Sequence, residues 1–377
     1  MRPAAARAIA RKEYYHLIRD FRSLYLAFAI PLLLILIFGY ALSLDVENVR
    51  TMVVDYDRTP LSRDLIQRLD ATVAFRVVAH LPRSEDLAAE LDAGRTTLGI
   101  VIPPGWSAEL RADRQAPLQV LIDGSDPNFA GITKSYAEAF IQGYNLARLQ
   151  AFLDRSGMGP IDIPVEGRVR VWFNEDLESR NFIVPGIIAI IIMIVGAMLT
   201  SLVIAKEYED GTMETIRSLP VTALEFLLGK AAPYFFIALV DVLIAVLMGQ
   251  VLFGVVMKSS FWLMILASAV YLCVALSLGF LISILTKSQL VANQLAVLVT
   301  YLPSLLLSDF VFPVVNMPPL LQKVTAVVPA TYFIDIMNGL YLRELGLAHL
   351  WTSYAVLLGM FAALGIGTLL ALKREGL

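Results

Sequence analysis

From Phe182 to Ile204 the chain reads FIVPGIIAIIIMIVGAMLTSLVI, 23 residues without one charged side chain. Wound as an α-helix at ~1.5 Å per residue, such a run covers the roughly 30 Å of bilayer hydrocarbon. After Ala205 the sequence turns abruptly to KEYEDGTMETIRSLPVT, which is too charged to stay in lipid and must return to water. A span that delivers a short, charged, helix-prone segment to one membrane surface is how something outside the membrane can grip a pore-forming protein.

The same apolar character recurs. Hydrophobic residues make up 58% of the 377 and charged residues only 17%, so the expected fold class is a polytopic α-helical membrane protein. Six stretches reach spanning length, at about 24–44, 182–204, 231–257, 259–286, 288–309 and 350–372. Residues 1–23 carry six basic side chains (Arg2, Arg7, Arg11, Lys12, Arg19, Arg22) against two acids. Placing this end inside the cell puts Lys206, Arg217, Lys230, Lys287, Lys373 and Arg374 inside with them. Only Lys258, Lys323 and Arg343 then fall on short outer loops, which is the retention pattern of cytoplasmic Lys and Arg. Both termini are therefore expected in the cytoplasm and residues 45–181 outside. That segment's 15 bases do not oppose this, because large domains translocate largely regardless of charge.

Ala41-Leu42-Ser43 faintly resembles a signal-cleavage site. However, a polar region of over twenty residues precedes it and the apolar run of 24–44 exceeds a signal core, so retention as the first transmembrane helix is expected. Before it, Ile9, Tyr14, Leu17, Ile18 and Phe21 fall near helical spacing with basic residues between them. Residues 1–23 thus read as an amphipathic helix on the inner headgroup layer, in contact with membrane lipid. The alternative is a disordered basic tail that only sets topology.

Residues 45–181 carry 21 acids against 15 bases and read as a water-soluble α/β domain inserted between helices 1 and 2. Strands are expected at 51–55, 74–79, 97–102, 118–122 and 169–173, with helices at 61–70, 84–93, 105–112 and 128–153. Gly157, Gly159, Pro160 and Pro164 mark a flexible stretch before the return to the membrane. Neither a glycine-rich phosphate loop nor His/Cys ligand spacing occurs there, and docking or guiding cargo suits the domain better than chemistry. His80 reads as a surface or packing residue. Cys273 is the sole cysteine, which excludes intrachain disulfides and cysteine-based metal sites. No basic cluster interleaved with aromatics suggests nucleic acid.

Three groups of residues can carry mechanism. In 206–220, Gly211-Thr212 suggests a turn with Thr212 as helix N-cap, and Pro220 stops the helix that follows. A rigid element this short, rich in carboxylates (Glu207, Glu209, Asp210, Glu214), can pass a push into the bundle; the plainer reading is a solvated loop. Within the spans, Asp241 and Asp309 are costly and so are functional candidates. Asp241 has no evident basic partner, leaving a proton relay or a structural hydrogen bond to a hydroxyl such as Ser277 or Thr300. Lastly, 310–345 is apolar but broken by Pro313, Pro318, Pro319 and Pro329. Two short helices dipping into the outer leaflet as a gate fit this, as does a loop lying on the headgroups. No G-x-x-x-x-G-K-[ST] loop exists anywhere, since Gly229-Lys230 lacks both the upstream glycine and the following hydroxyl.

These residues resemble the ABC-2 family of ABC-exporter permeases, in its large-ectodomain, multidrug-type branch. Arg11-Lys12-Glu13 through Arg19-Asp20 and Pro31 is similar to the family's KE…RD…P opening. Lys206 through Glu214 to Leu219-Pro220 resembles K-E-x-E-x-G-T-x-E…P, the most specific of the three. Phe310–Pro318 with Pro329–Phe333 resembles F-x-F-P-x-x-N-M-P…P-x-T-Y-F. Asp309 departs from the pattern, which has glycine there, and Ser218-Leu219-Pro220 stands where Thr-Pro is more usual.

The resemblance implies the permease subunit of an ATP-driven exporter, a homodimer or a heterodimer with a similar permease, in the bacterial inner membrane. It implies two cytosolic ATPase subunits that hold the ATP and Mg²⁺, with no cofactor and no enzyme activity in this chain. Glu207, Tyr208, Glu209, Asp210, Gly211, Thr212, Met213, Glu214, Arg217 and Pro220 would couple to that ATPase. Asp309, Phe310, Phe312, Pro313, Asn316 and Pro318 would frame an outer gate. A periplasmic adaptor and an outer-membrane channel are further implied partners. Lipophilic or amphipathic, drug-like cargo fits the apolar spans, with Phe182, Met193, Tyr301 and Leu305 as guesses for path-lining residues. The competing readings are a proton-coupled carrier using Asp241 and a non-transporting sensor or scaffold.

Overall fold

A computed structural model describes residues 3–19, 21–41, 48–112, 114–157, 172–174 and 178–376. The chain divides into two compact units, Met1–Ser43 with Arg170–Leu377, and Leu44–Val169. The first opens with α1 (Pro3–Arg19) and α2 (Phe21–Ala41). α1 buries Glu13 and Leu17 while Tyr14, Tyr15 and Ile18 stay exposed.

The second unit alternates β1 (Val49–Asp55), α3 (Pro60–Asp70), β2 (Phe75–Leu81), α4 (Ser84–Asp92), β3 (Leu98–Ile102) and α5 (Trp106–Arg111). β4 (Gln119–Ile122) and the long α6 (Pro127–Arg155) complete it. The strand order is β2-β1-β3-β4, with β1 parallel to both neighbours and β4 antiparallel to β3. Parallel strands need both faces covered, and β3 is buried along its whole length. Alternation on β1 sends Val49 and Val53 to a core shared with Leu65, Leu69, Trp106 and Tyr144. Met52 and Val54 point the other way, onto Leu87 and Val101. α3 starts in a capping box: Thr59 accepts from the Ser62 N–H and Ser62 from the Thr59 N–H. The four expected strands between 49 and 122 and the four expected helices are all present. Residues 169–171 of the fifth strand, and Gly159, Pro160 and Pro164, lie outside the described residues.

The first unit resumes with α7 (Arg180–Glu209), α8 (Thr212–Ser218), α9 (Ala223–Phe253), α10 (Phe261–Thr286) and α11 (Gln289–Leu306). After a 3₁₀ turn at Val314–Asn316 come α12 (Pro319–Thr325), α13 (Pro329–Tyr341) and α14 (Leu347–Arg374). α7, α9, α10, α11 and α14 are long and apolar enough to cross a membrane. The apolar stretch described in α2, Phe28–Tyr40, is shorter. Among the described residues this gives five candidate spans, or up to six if α12 and α13, bent by 78°, count as one. Residues 42–44 of the first expected span lie outside the described residues.

α7 is the centre of the bundle: 89% of its apolar window is buried within the chain, against 17% for α14. Its closest neighbour is α10, where a Cβ added at Gly279 would collide with the Ala197 carbonyl and the Thr200 hydroxyl. That hydroxyl donates to the Leu276 carbonyl at 3.1 Å, across the two helices. α9 begins at 223, before the expected apolar start at 231, because Thr222 and Glu225 form a capping box. It stops at Gly254, whose φ of +67° is left-handed.

Candidate functional site

α7 does not end with its apolar run but continues to Glu209, so Glu207, Tyr208 and Glu209 belong to its last turn. The chain then reverses at Asp210-Gly211 and forms the seven-residue α8. The expected N-cap changes: Gly211 takes it, with a left-handed φ of +71°. Thr212 is instead the first helical residue, and its hydroxyl donates to the Glu207 carboxylate. Leu219 turns to extended backbone, and Pro220 leads into the capping box of α9.

A seven-residue helix cannot stand alone in water, so tertiary contacts must hold it. Met213, 1% exposed, enters an apolar core with Ile204, Phe226, Phe280 and Leu372, and Ile216 packs beside it. The opposite face carries Glu214, Thr215 and Ser218, with Leu219 half-exposed beyond them.

Two ion clusters grip this junction. In the first, the Lys230 ammonium donates to Glu207 at 2.7 Å and to Glu13 at 2.8 Å, with Lys12 a further 3.2 Å from Glu207. This joins α1, α7 and α9. Gly229 makes room for it, since a Cβ there would lie 2.7 Å from Ile9 and 2.9 Å from the Ala6 carbonyl oxygen. Gly229-Lys230 therefore acts locally, the glycine allowing close approach of α1 and the lysine pairing the two carboxylates. A cavity of about 290 Å³ opens beside the cluster, lined in part by Lys12, His16, Leu199, Val203, Lys206 and Tyr234.

In the second cluster, Glu375 accepts from Lys287 at 2.7 Å, Arg217 at 3.0 Å and the Tyr208 hydroxyl at 3.1 Å. The Lys287 hydrogen bond chiefly holds this carboxyl below the ordinary glutamate range. Glu209 meanwhile accepts from the Gln289 backbone N–H at 2.8 Å, placing negative charge at the start of α11.

The other singled-out residues lie elsewhere. Asp309 has a left-handed φ of +67° and accepts from the Val314 N–H at 2.7 Å. That backbone explains why a glycine suits this position in the pattern the chain resembles, and a local hydrogen bond lets aspartate replace it. Phe310 is buried over Gly186 and stacks on Phe182 at 5.8 Å between ring centres. Phe312 and Pro313 precede the 3₁₀ turn that ends at Asn316; Pro318 precedes α12. Met193, 1% exposed, is enclosed by the chain's own helices, and Phe182, Tyr301 and Leu305 pack against the same core. Asp241 does not bond to Ser277 or Thr300, which donate instead to the carbonyls of Cys273 and Ala296 in their own helices. Its Oδ1 is buried without a hydrogen-bond partner among the described residues.

Sequence reading missed the roles of Lys230, Lys287 and Glu375. The only local signal was a lysine on an otherwise apolar stretch, and no spacing rule links it to Glu13.

The family model described as ABC-2 family transporter protein matches residues 21–370. The chain belongs to the ABC-2 transporter family. It is 34% identical over 343 residues to the probable multidrug ABC transporter permease YbhS of Escherichia coli K12, covering 89% of this chain and 88% of YbhS. To the probable multidrug ABC transporter permease YbhR of the same strain it is 29% identical, over 97% of this chain and 98% of the relative. The inner membrane transport permease YhhJ of that strain is 26% identical over 85% of this chain and 84% of YhhJ. As an ABC-2 permease the chain is a multi-pass transmembrane component of an ABC transporter, the kind of subunit that works with separate ATPase subunits. The Lys206–Pro220 segment of this ABC-2 chain is the helix end, turn and short helix described above.

Proposed function

We propose that this chain is the permease half of an ATP-driven exporter, moving lipophilic or amphipathic compounds out of the cytoplasm or the inner membrane. The observation that carries the reading is α8, a short rigid helix between two span-length helices, anchored by Met213 and offering Glu214, Thr215, Ser218 and Leu219 outward. In this reading α8 is a coupling helix seated on a cytosolic ATPase subunit that holds ATP and Mg²⁺. Rotation of that subunit would reach α7, α9 and α1 together, because Lys230 joins Glu207 to Glu13.

Six helices, α2 included, then cross the bilayer with both termini inside and residues 45–181 outside. Two copies, or this chain with a similar permease, would enclose the path, and the outer α/β unit would face an adaptor. The names of YbhS and YbhR support multidrug-type cargo. The test is purification of the full-length tagged chain from its own membranes, with mass spectrometry for a subunit bearing a phosphate-binding loop. Leu219→Asp combined with Glu214→Lys should abolish that capture without lowering the unfolding midpoint. Capture at the wild-type level in this variant would sink the reading.

A further inference from the structure

α8 enters the apolar core with Met213 near its start and Ile216 packed beside it, but apolar contact is non-directional and does not by itself fix how a short helix is turned. Near its other end, Arg217 reaches Glu375 at 3.0 Å, 158 positions later in the chain. Glu375 is not a loose tail residue. Leu372, one turn earlier, is fully buried in the same core as Met213 and Phe280. The Glu375 N–H donates to the Ala371 and Leu372 carbonyls at 3.2 and 3.1 Å, which keeps it on the end of α14. Lys287, in the left-handed cap between α10 and α11, reaches the other oxygen at 2.7 Å. The Tyr208 hydroxyl, from the end of α7, donates to the oxygen that Arg217 shares. Arg217 and Lys287 also stand over the Tyr208 ring, at 5.8 and 5.1 Å from its centre.

Three donors from three elements thus converge on one carboxylate whose own backbone is fixed. A lone exposed ion pair contributes little, but several charges sharing one acceptor set a geometry. We propose that Glu375 is the positioning residue that fixes the orientation of α8, so that the end of α14 acts as a latch on the docking face. The proposal rests on the reading that α8 docks an ATPase. The latch fixes which way Glu214, Thr215 and Ser218 point, and it ties α8 to the end of α14 and to the turn between α10 and α11.

Amide hydrogen exchange on the full-length chain, across residues 212–219, tests the latch without any partner. Glu375→Gln should speed exchange there about fivefold, as expected for losing a networked, partly exposed charge. Glu375→Asp should restore part of the protection, and the unfolding midpoint should stay within error because the Leu372 core is untouched. Combining Glu375→Gln with Arg217→Gln should add little beyond either change alone. Unchanged exchange in Glu375→Gln overturns the latch. In parallel, capture of the ATP-hydrolysing subunit should fall several-fold in Glu375→Gln and recover in part in Glu375→Asp. Faster exchange with wild-type capture overturns the positioning role, whereas the docking reading itself stands or falls on the Leu219→Asp, Glu214→Lys variant.

Discussion

The Lys230 ammonium sits 2.7 Å from the Glu207 carboxylate with only 2% of its side chain exposed, and the same ammonium reaches Glu13 at 2.8 Å. Two acids and one buried base would leave a negative charge uncompensated; Lys12, half-exposed at 3.2 Å from Glu207, restores the balance. Removing the buried partner is therefore costly. Lys230→Met should destabilise the chain by about 3–5 kcal/mol, because two carboxylates lose their shared cation. Adding Glu13→Gln and Glu207→Gln to the same variant should recover much of the loss. Unfolding midpoints in detergent decide it: a wild-type midpoint for Lys230→Met alone would contradict the buried cluster.

Helix contact at Gly279 makes a second prediction. A methyl there meets the backbone of α7 at Ala197, which cannot move aside as a flexible side chain would. Gly279→Ala should cost about 1–3 kcal/mol through overpacking. Gly365, inside α14, has open space where its Cβ would be. Gly365→Ala should be neutral or stabilising by up to about 1 kcal/mol, since alanine is the better helix former. Equal effects from the two substitutions would refute the close approach of α7 and α10.

These two cases also show what the sequence could and could not disclose. The α/β unit was legible because its cues are local: short β-rich runs such as 51–55 and 97–102, and the prolines Pro60 and Pro127 where α3 and α6 begin. The short helix after the long apolar run was legible from Gly211 and Pro220, although the cap fell to Gly211 because a left-handed turn was needed there. The clusters that hold it were not. Glu13 and Lys230 lie 217 positions apart, and Tyr208 and Glu375 lie 167 apart. Such partners meet only after the helices have packed. Asp241 misled for a related reason, because Ser277 and Thr300 satisfy their hydroxyls within their own helices.

Acid should open the Glu375 latch late. Its carboxyl lies below the ordinary value of 4.5, through the Lys287 hydrogen bond first, with the Tyr208 hydroxyl and Arg217 assisting against desolvation. A carboxyl with a lowered folded pKa contributes stability that is whole above the unfolded pKa and is lost as pH falls through the folded one. The groups that face it are Lys287, Arg217 and the Tyr208 hydroxyl, the last pushed up to about 12 by burial. Protection of residues 212–219 should hold from pH 7 to pH 5 and decline only below about 4.5. The Glu375→Gln chain should show no such acid step. A step centred near neutral pH would assign the change to another group.

Asp241 makes the last prediction. Its side chain is 4% exposed among Ala238, Val242 and Ala245 of α9, and its Oδ1 has no hydrogen-bond partner among the described residues. Inserting a charged aspartate at the middle of a span costs roughly 2.5–3.5 kcal/mol, and among the described residues no ion pair offsets that cost. An amide of the same size carries no charge to desolvate. Asp241→Asn should therefore accumulate in membranes at the wild-type level with an equal or higher unfolding midpoint, and Asp241→Leu should do the same. Asp241→Lys, as costly as the carboxylate and larger, should lower both. If Asp241→Asn lost several degrees, the carboxylate would be holding a partner that the packing of α9 against its neighbours does not reveal, and a charge-bearing role for it would return to consideration. If it kept its midpoint, the acid would hold no partner that stabilises the fold, in keeping with its unbonded Oδ1.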